Sequence, residues 1–236
     1  MIKASEKASK IIIRDFGEIE KLQVSKKGPL DFVTNSDLKV EQIIIDELKK
    51  AKPNYSIISE EYGVEKNKDE KNTWIIDPID GTINFLHGLP HFAISLALKS
   101  NDEIISGLIF DPIKNEMFFA EKDNGAFFNN HRIRVSKKND LKECLFATGG
   151  EIDNKLELPY RKSGCAALDM AYVAAGRYDG YFQNDLNIWD IAAGIILVKE
   201  AGGIINEIDL SVNKKIKIIA SSGDINSKLL EKLNNF

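Results

Sequence analysis

The sequence predicts a mixed α/β fold made of two halves, an α+β half followed by an α/β half. Three observations predict it: two amphipathic helical patterns near the N-terminus, short β-prone segments separated by turn residues from 92 to 135, and alternating strand and helix patterns beyond 138. No repeat, low-complexity tract or proline-rich linker separates the halves. We therefore expect residues 1–137 and 138–236 to pack into one unit.

The N-terminal half begins with two predicted helices. Apolar residues recur at helical spacing over residues 4–16, which predicts an amphipathic helix. Asn35 or Ser36 can cap a second helix that runs to about Lys50, because both residue types accept hydrogen bonds from the free N–H groups at a helix start. Asp37 would then lie in the first turn of that helix.

Strand patterns follow the helices. Two short β-prone runs, residues 55–58 and 74–76, each lead directly into acidic residues. An antiparallel meander is expected from 92 to 135, where turn-forming residues separate the apolar runs. In the second half, the pattern predicts strands near 144–147 and 178–182 and helices near 166–175, 189–201 and 225–233.

Composition argues against several classes of protein. The 236 residues carry a net charge of −4 without a long basic run, which disfavours nucleic acid as a partner. No apolar run approaches the roughly 18 residues that span a bilayer, and charges interrupt the N-terminus where a signal peptide would be apolar, so a cytoplasmic location is expected. Cys144 and Cys165 lack the spacing of a zinc site and fit a reducing compartment.

The most informative segment is residues 74–85, in which an apolar strand ends in Asp77 and Asp80. A proline between the two acids restricts the backbone, and Gly81 allows a bend without a Cβ clash, so both carboxylates can converge on one point. Mg²⁺ prefers carboxylate and carbonyl oxygens as ligands. The segment therefore predicts a magnesium site formed by the two acids and a turn carbonyl such as that of Ile79.

Other interpretations of these acids stay open. Asp-Pro and Asp-Gly are favoured turn dipeptides that could simply join two strands. Residues 82–90 lack the alternation of a second strand, and buried acids are costly without a cation, which favours the metal site. A helix that starts at Gly81 or Thr82 would direct its free N–H groups towards a phosphate. Glu60 and Glu61, after an apolar run, form either a solvated loop or outer ligands of the same metals.

Another acidic position stands in residues 189–203, which predict a helix of small and apolar residues ending at paired glycines. Asp190 lies in its first turn, where the helix dipole favours the ionised carboxylate and keeps it available as a ligand at neutral pH. Asp190 could equally be an acid that only complements the helix dipole.

Together these segments resemble the inositol monophosphatases, within the superfamily that includes fructose-1,6-bisphosphatases and nucleotide 3′-phosphatases. The Glu-Glu pair at 60–61, the Asp-Pro-Ile-Asp-Gly-Thr-Ile-Asn-Phe stretch at 77–85 and the Trp-Asp-Ile-Ala-Ala-Gly stretch at 189–194 occur in the family's order, and the resemblance covers nearly the whole chain. It implies a layered αβαβα sandwich. An N-terminal metal-binding half would hold an antiparallel sheet with helices, and a C-terminal half with a mixed sheet would complete the active site.

The resemblance also implies a Mg²⁺-dependent, Li⁺-sensitive phosphomonoesterase with two or three ions per active site. The implied metal ligands are Glu60, Asp77, the carbonyl of Ile79, Asp80 and Asp190. Asp77 would bridge two ions. Thr82 and Asp37 would orient the water that attacks the phosphate. Lys26 would help to neutralise the phosphate, or it is an ordinary solvated lysine.

For the substrate, the resemblance implies myo-inositol monophosphate, a small phosphorylated polyol. The implied substrate contacts are Asp80, Gly81, Thr82, Lys26, Gln183 and Asp190. Gln183 stands where the family has an acid, and an amide binds hydroxyls less strongly than a carboxylate, although Asp185 or Asn187 could compensate. Two alternatives stay open: a phosphatase for 3′-phosphoadenosine-type nucleotides or sugar bisphosphates, and a regulator that binds RNA or transcription machinery. A homodimer is implied, although the connection over 149–160 is shorter than in many relatives.

Overall fold

The computed structural model describes residues 1–21, 24–28, 31–150, 158–211 and 214–233, with side chains for all of these except 21–33. The first half contains α1 (Ile2–Phe16), β1 (Val24–Gly28), β2 (Asp31–Thr34), α2 (Asn35–Ala51), β3 (Tyr55–Ser59), β4 (Gly63–Glu65), β5 (Asp69–Asp80), α3 (Thr82–Leu86), β6 (Ala93–Ser100), β7 (Glu103–Asp111), β8 (Glu116–Glu121), β9 (Gly125–Phe128) and β10 (His131–Arg132). The second half contains β11 (Phe146–Ala147), β12 (Tyr160–Arg161), α4 (Ala166–Ala174), β13 (Gly180–Leu186), α5 (Ile188–Glu200), β14 (Gly203–Ile205), β15 (Ile216–Ser222) and α6 (Gly223–Lys232).

The strands form one large sheet, one smaller sheet and a two-stranded ribbon of β1 and β2. The large sheet has the order β10-β9-β8-β7-β6-β5-β3-β4, and the smaller one the order β12-β11-β13-β15-β14. Among the described strands, the large sheet is antiparallel except for the parallel pair β3 and β5, which corrects the expectation of an antiparallel sheet. The smaller sheet combines parallel and antiparallel pairs, so the predicted mixed α/β fold is confirmed.

Helices and sheets alternate in five layers. The α1–α2 pair covers one face of the large sheet, α4 and α5 fill the space between the two sheets, and α6 packs on the outer face of the smaller sheet. Strand β5 shows why both faces of the large sheet are covered. Trp74 and Ile76 join the apolar cluster under α1 and α2, whereas Ile75 joins the cluster around α4 and α5, because successive strand residues point to opposite faces. The αβαβα order is the one implied by the resemblance.

Two local details differ from the sequence prediction. The N-cap of α2 is Thr34, whose extended backbone lets its Oγ1 accept hydrogen bonds from the N–H groups of Ser36, at 3.0 Å, and Asp37, at 3.3 Å. The segment from Asp77 to Asp80 is part of β5 rather than a turn. Its pairing register with β6 shifts between these residues, so a bulge brings the two acids to the end of the strand.

The two halves share an apolar core. Ile109 of β7 and Ile196 of α5 belong to the same buried cluster, as expected for halves that pack into one unit. The division at 137 and 138 stays a prediction. Within the described ranges, no helix has both the length and the apolar character required to cross a bilayer.

Gly107 of β7 provides a test of this packing. A Cβ on Gly107 would lie 2.6 Å from Cγ2 of Ile196 and 2.8 Å from the carbonyl oxygen of Ala193, both on α5. We expect Gly107→Ala to lower the free energy of unfolding by about 1–3 kcal/mol, because α5 must move away from the sheet. Urea unfolding measures the change. Gly150→Ala is the control, since among the described residues its Cβ would meet only Oγ1 of Thr148, at 4.0 Å. Equal effects of the two substitutions would contradict the packing argument.

Candidate active site

The site begins at the end of β5 with Asp77, which is 2% exposed. Its Oδ1 accepts a hydrogen bond of 3.0 Å from the N–H of Ile79. Burial, together with the negative charges of Glu60, Asp80 and Asp190, raises the pKa of Asp77 well above its usual range. Each of these three acids therefore lies close enough to act on Asp77. Acids from the turn after β3, from β5 and from α5 thus lie within electrostatic range of Asp77, and their assignment as metal ligands stays a prediction.

Asp80 is held by the start of α4. Its Oδ2 accepts hydrogen bonds from the N–H of Ala167, at 2.6 Å, and from Sγ of Cys165, at 3.1 Å. Burial raises the pKa of Asp80 to about 6, although these hydrogen bonds oppose the increase. One carboxylate oxygen is therefore fixed by the second half of the chain. Cys165 has a contact with the site that sequence reasoning missed.

Asp190 is fixed at the start of α5. As the third residue of α5 it closes a capping box, and its Oδ2 accepts a hydrogen bond of 2.7 Å from the N–H of Asn187. Burial and the charge of Asp80 raise the pKa of Asp190 to about 7. Burial and Asp80 favour the neutral carboxyl group, whereas the hydrogen bond from Asn187 favours the ionised form that the helix dipole was expected to stabilise.

The backbone of Glu60 lies beside Asp77. Its N–H donates a hydrogen bond of 3.2 Å to the carbonyl of Ile76, the residue before Asp77 on β5. Sequence reasoning missed how this turn is held from its other side. Glu41 of α2, 2% exposed, accepts hydrogen bonds from the residues around Glu60. Its position one helical turn after Asp37 was the available signal.

Thr82 contacts a predicted ligand, and Asp37 lies within electrostatic range of Glu61, the neighbour of Glu60. Oδ2 of Asp37 accepts hydrogen bonds from the N–H of Thr34, at 2.8 Å, and from its Oγ1, at 2.5 Å. Oδ1 is buried and has no hydrogen-bond partner in the described part of the chain. Burial raises the pKa of Asp37 to about 6, and the charge of Glu61 adds to the increase. Oγ1 of Thr82 donates a hydrogen bond of 3.0 Å to the carbonyl of Ile79.

The bend after β5 needs glycine. Gly81 has a φ of 95°, and a Cβ there would lie 3.1 Å from the carbonyl oxygen of His91 and 3.3 Å from Cβ of Cys165. Helix α3 begins at the next residue, as predicted. Nδ2 of Asn84 then donates to the carbonyls of His91, at 2.7 Å, and Ser163, at 2.8 Å. Asn84 therefore links the bend to the loop before α4, a role that its sequence position alone did not indicate.

The predicted substrate residues differ in how far the structure describes them. Oε1 of Gln183 accepts a hydrogen bond of 2.6 Å from the hydroxyl of Tyr181. The same oxygen would lie 2.2 Å from a Cβ on Gly149, so this side chain occupies space that only glycine leaves open. Lys26 lies in β1, but its side chain is outside the described part, as are residues 151–157 of the short connection.

Comparisons with known proteins agree with this architecture. The sequence profile of the inositol monophosphatase family matches residues 1–235. The inositol-1-monophosphatase of Caulobacter vibrioides is 42% identical, with 99% of each chain covered. The Nus factor SuhB of Escherichia coli is 40% identical, covering 87% of this chain and 83% of its own. The crystal structure of the extragenic suppressor protein suhB from Bartonella henselae has a TM-score of 0.91 at 43% identity, covering 99% of this chain and 96% of its own.

The raised pKa values predict how the metal-free protein responds to pH. The pKa of folded Asp80 is about 6 and that of Asp190 about 7, whereas both are about 3.9 in an unfolded chain. As the pH falls through the folded values, the folded state gains protons that the unfolded state does not, so its stability rises. We expect the free energy of unfolding in EDTA to increase by roughly 1–3 kcal/mol from about pH 8 to about pH 5.5.

Urea unfolding at several pH values measures this increase. Asp190→Asn removes one of the titrating carboxylates and should make the rise with acid shallower. A stability that is constant or falls over the same range would show that these carboxyl groups are not held at raised pKa values.

Proposed function

Because this chain belongs to the inositol monophosphatase family, we propose that it is a Mg²⁺-dependent phosphomonoesterase that hydrolyses myo-inositol monophosphate to inositol and phosphate. The convergence of four acids at the end of β5 carries the proposal. Burial raises the pKa of Asp77, Asp80 and Asp190, and repulsion from neighbouring acids adds to the increase at Asp77 and Asp190. A divalent cation among these carboxylates would stabilise their ionised forms, which is what phosphate chemistry at neutral pH requires.

The residues fit Mg²⁺ by their donor chemistry. Carboxylate and carbonyl oxygens are hard donors of the type this ion prefers, and Asp37 adds a buried oxygen without a hydrogen-bond partner in the described part of the chain. No three histidine, cysteine or acidic side chains among the described residues already form a ligand set. We therefore expect the acidic side chains to move closer together when they bind the ion. The proposed ligands for two or three ions are Glu60, Asp77, the carbonyl of Ile79, Asp80 and Asp190.

When bound, Mg²⁺ would lower the pKa of a water molecule and stabilise the negative charge of the reacting phosphate. The chain's own residues would orient that water. Oδ2 of Asp37 already accepts hydrogen bonds from Thr34, which leaves Oδ1 to accept a hydrogen bond from the water. The hydroxyl of Thr82 donates to Ile79, so its oxygen can accept a hydrogen bond from the same water. Gly81 would allow the phosphate to approach the backbone, with Lys26 as a proposed positive charge.

The polyol side of the substrate would meet Asp80, Asp190 and Gln183. Of the two residues expected to compensate for the missing acid, Asn187 already caps α5 and accepts a hydrogen bond of 2.8 Å from Nζ of Lys215. Asp185 is exposed, with a φ of 61° at an irregularity of β13. Gln183 is therefore the proposed determinant of preference among phosphorylated substrates, with nucleotide 3′-phosphates and sugar bisphosphates as the rival substrate class.

A second candidate function has support from the name of one relative. The Escherichia coli protein is called Nus factor SuhB, which agrees with the alternative of a regulator that binds RNA or transcription machinery. Such a role does not need mutually repelling acids around the buried Asp77, so the phosphatase explains more of the site. We further propose that the enzyme is a cytoplasmic homodimer and that Li⁺ inhibits it.

Phosphate release from a panel of substrates tests the proposed function. We expect Mg²⁺-dependent hydrolysis of inositol monophosphate, and Asp80→Asn should reduce kcat by about 100-fold or more because a ligand charge is lost. Adenosine 3′,5′-bisphosphate and fructose 1,6-bisphosphate are the competing substrates. Asp69→Asn is the control, because Asp69 lies at the opposite end of β5. Turnover that survives both EDTA and Asp80→Asn would refute the proposal, whereas faster turnover of a competitor would change only the substrate.

The amide of Gln183 leads to a prediction about specificity. A carboxylate accepts stronger hydrogen bonds from substrate hydroxyls than an amide does, so Gln183→Glu should lower KM for inositol monophosphate by roughly 5- to 20-fold. The small phosphate ester p-nitrophenyl phosphate has no polyol and is the control, for which KM should stay constant. An equal change for both substrates would mean that Gln183 does not contact the polyol.

A further inference from the structure

Glu41 has no place in the proposed chemistry, yet it is one of the most completely bonded carboxylates near the site. Its Oε1 accepts hydrogen bonds from Oγ of Ser59, at 3.0 Å, and from the N–H of Tyr62, at 2.6 Å. Its Oε2 accepts one from the N–H of Glu61, at 3.1 Å. All three donors belong to the end of β3 and the turn that carries Glu60. The carboxylate of one helix residue therefore holds this turn.

The turn is held from two sides. The N–H of Glu60 donates to the carbonyl of Ile76, next to Asp77 on β5. The following two N–H groups donate to Glu41 of α2. The backbone on both sides of Glu60 is thus fixed between β5 and α2, so its Cα has little freedom relative to Asp77.

Helix α2 connects this turn to another part of the site. Asp37 and Glu41 are four residues apart, on the same face of the helix, and both are buried, at 0% and 2% exposure. Asp37 contacts the start of its own helix through Thr34, whereas Glu41 contacts the Glu60 turn. Helix α2 therefore fixes the position of Asp37, the proposed water-orienting acid, relative to the turn that carries Glu60.

We propose that Glu41 is a positioning residue that fixes the Glu60 turn relative to Asp77 and Asp37 and thereby sets the affinity of the metal site that Glu60 completes. This inference rests on the proposed function, because it assigns Glu60 to a metal. Glu41 does not touch the ion in this scheme. It acts through the backbone of residues 59–62, as residues behind metal ligands commonly do.

The chemistry of the three donors explains why a carboxylate is needed. A carboxylate presents only acceptors, so both of its oxygens can face N–H and O–H groups. Glutamine has nearly the same shape, but its NH₂ group would face at least one donor of the turn. Glu41→Gln should therefore loosen the turn while it keeps most of the packing around α2.

Calorimetric titration of the purified, EDTA-treated protein with Mn²⁺ tests the proposal without depending on turnover. We expect Glu41→Gln to weaken Mn²⁺ binding at one site by about 10-fold or more, with the remaining site less affected. The Mg²⁺ concentration for half-maximal phosphate release should rise in parallel, and high Mg²⁺ should restore most of kcat. Ser59→Ala removes one hydrogen bond to Glu41 and serves as a milder variant, with an expected weakening of about 2- to 5-fold.

Two controls distinguish positioning from a general loss of stability. Asp69→Asn alters a carboxylate that accepts hydrogen bonds from the N–H groups of Lys71, at 2.9 Å, and Asn72, at 3.0 Å, at the far end of β5, and Mn²⁺ affinity should not change. In a protein that already carries Glu60→Gln, Glu41→Gln should have little additional effect on Mn²⁺ binding, because the turn that Glu41 positions no longer carries a charged metal ligand.

The outcomes separate this inference from the proposed function. If wild-type protein binds Mn²⁺ and both Glu41→Gln and Ser59→Ala bind it equally well, Glu41 is not a positioning residue, although the phosphatase proposal stands. The same conclusion follows if Glu41→Gln weakens binding equally with and without Glu60. If the wild-type protein binds no divalent ion, the proposed function itself fails.

Discussion

The site depends on a single carboxylate oxygen that joins the two halves of the chain. Oδ2 of Asp80, at the end of β5, accepts hydrogen bonds from Cys165 and from the N–H of Ala167 at the start of α4. Asn84 adds a parallel link through the carbonyl of Ser163. These contacts join residues 79 to 87 positions apart. Since α5 packs against both α4 and the large sheet, they also set where Asp190 meets the acids of β5.

A second constraint is the electrostatic cost of bringing the acids together. Asp77 feels the charges of three other carboxylates in a buried environment, so the metal-free protein is less stable than one with neutral residues there. The fold offsets part of this cost locally, through the capping box of Asp190 and the hydrogen bonds to Asp80. A bound cation would offset the electrostatic repulsion that remains. The repulsion that lowers the stability of the protein without metal therefore also favours the binding of a cation.

The sequence predicts the parts of the site that local patterns determine. Acids after apolar runs identify Asp77 and Asp80, and a helix start identifies Asp190, because strand ends and helix starts have recognisable residue types. Contacts between distant segments have no such signature. Glu41 and the Glu60 turn are about 20 residues apart in sequence, and although the spacing from Asp37 places Glu41 on the same helix face, it does not identify the partner. The bulge between Asp77 and Asp80 was missed for the same reason, since it depends on the register with β6.

The difference between local patterns and contacts between distant segments also separates the residues proposed for the reaction from those proposed to select the substrate. The acids are fixed by strand ends, caps and backbone hydrogen bonds, so their chemistry follows from the fold. Gln183, by contrast, is fixed by the hydroxyl of Tyr181 and by the absence of a side chain at Gly149. A change at any of these three positions would alter which substrate fits without disturbing the proposed metal ligands. A phosphatase site on this fold can therefore change substrate more easily than mechanism, and the role proposed for Gln183 accordingly concerns specificity and not hydrolysis itself.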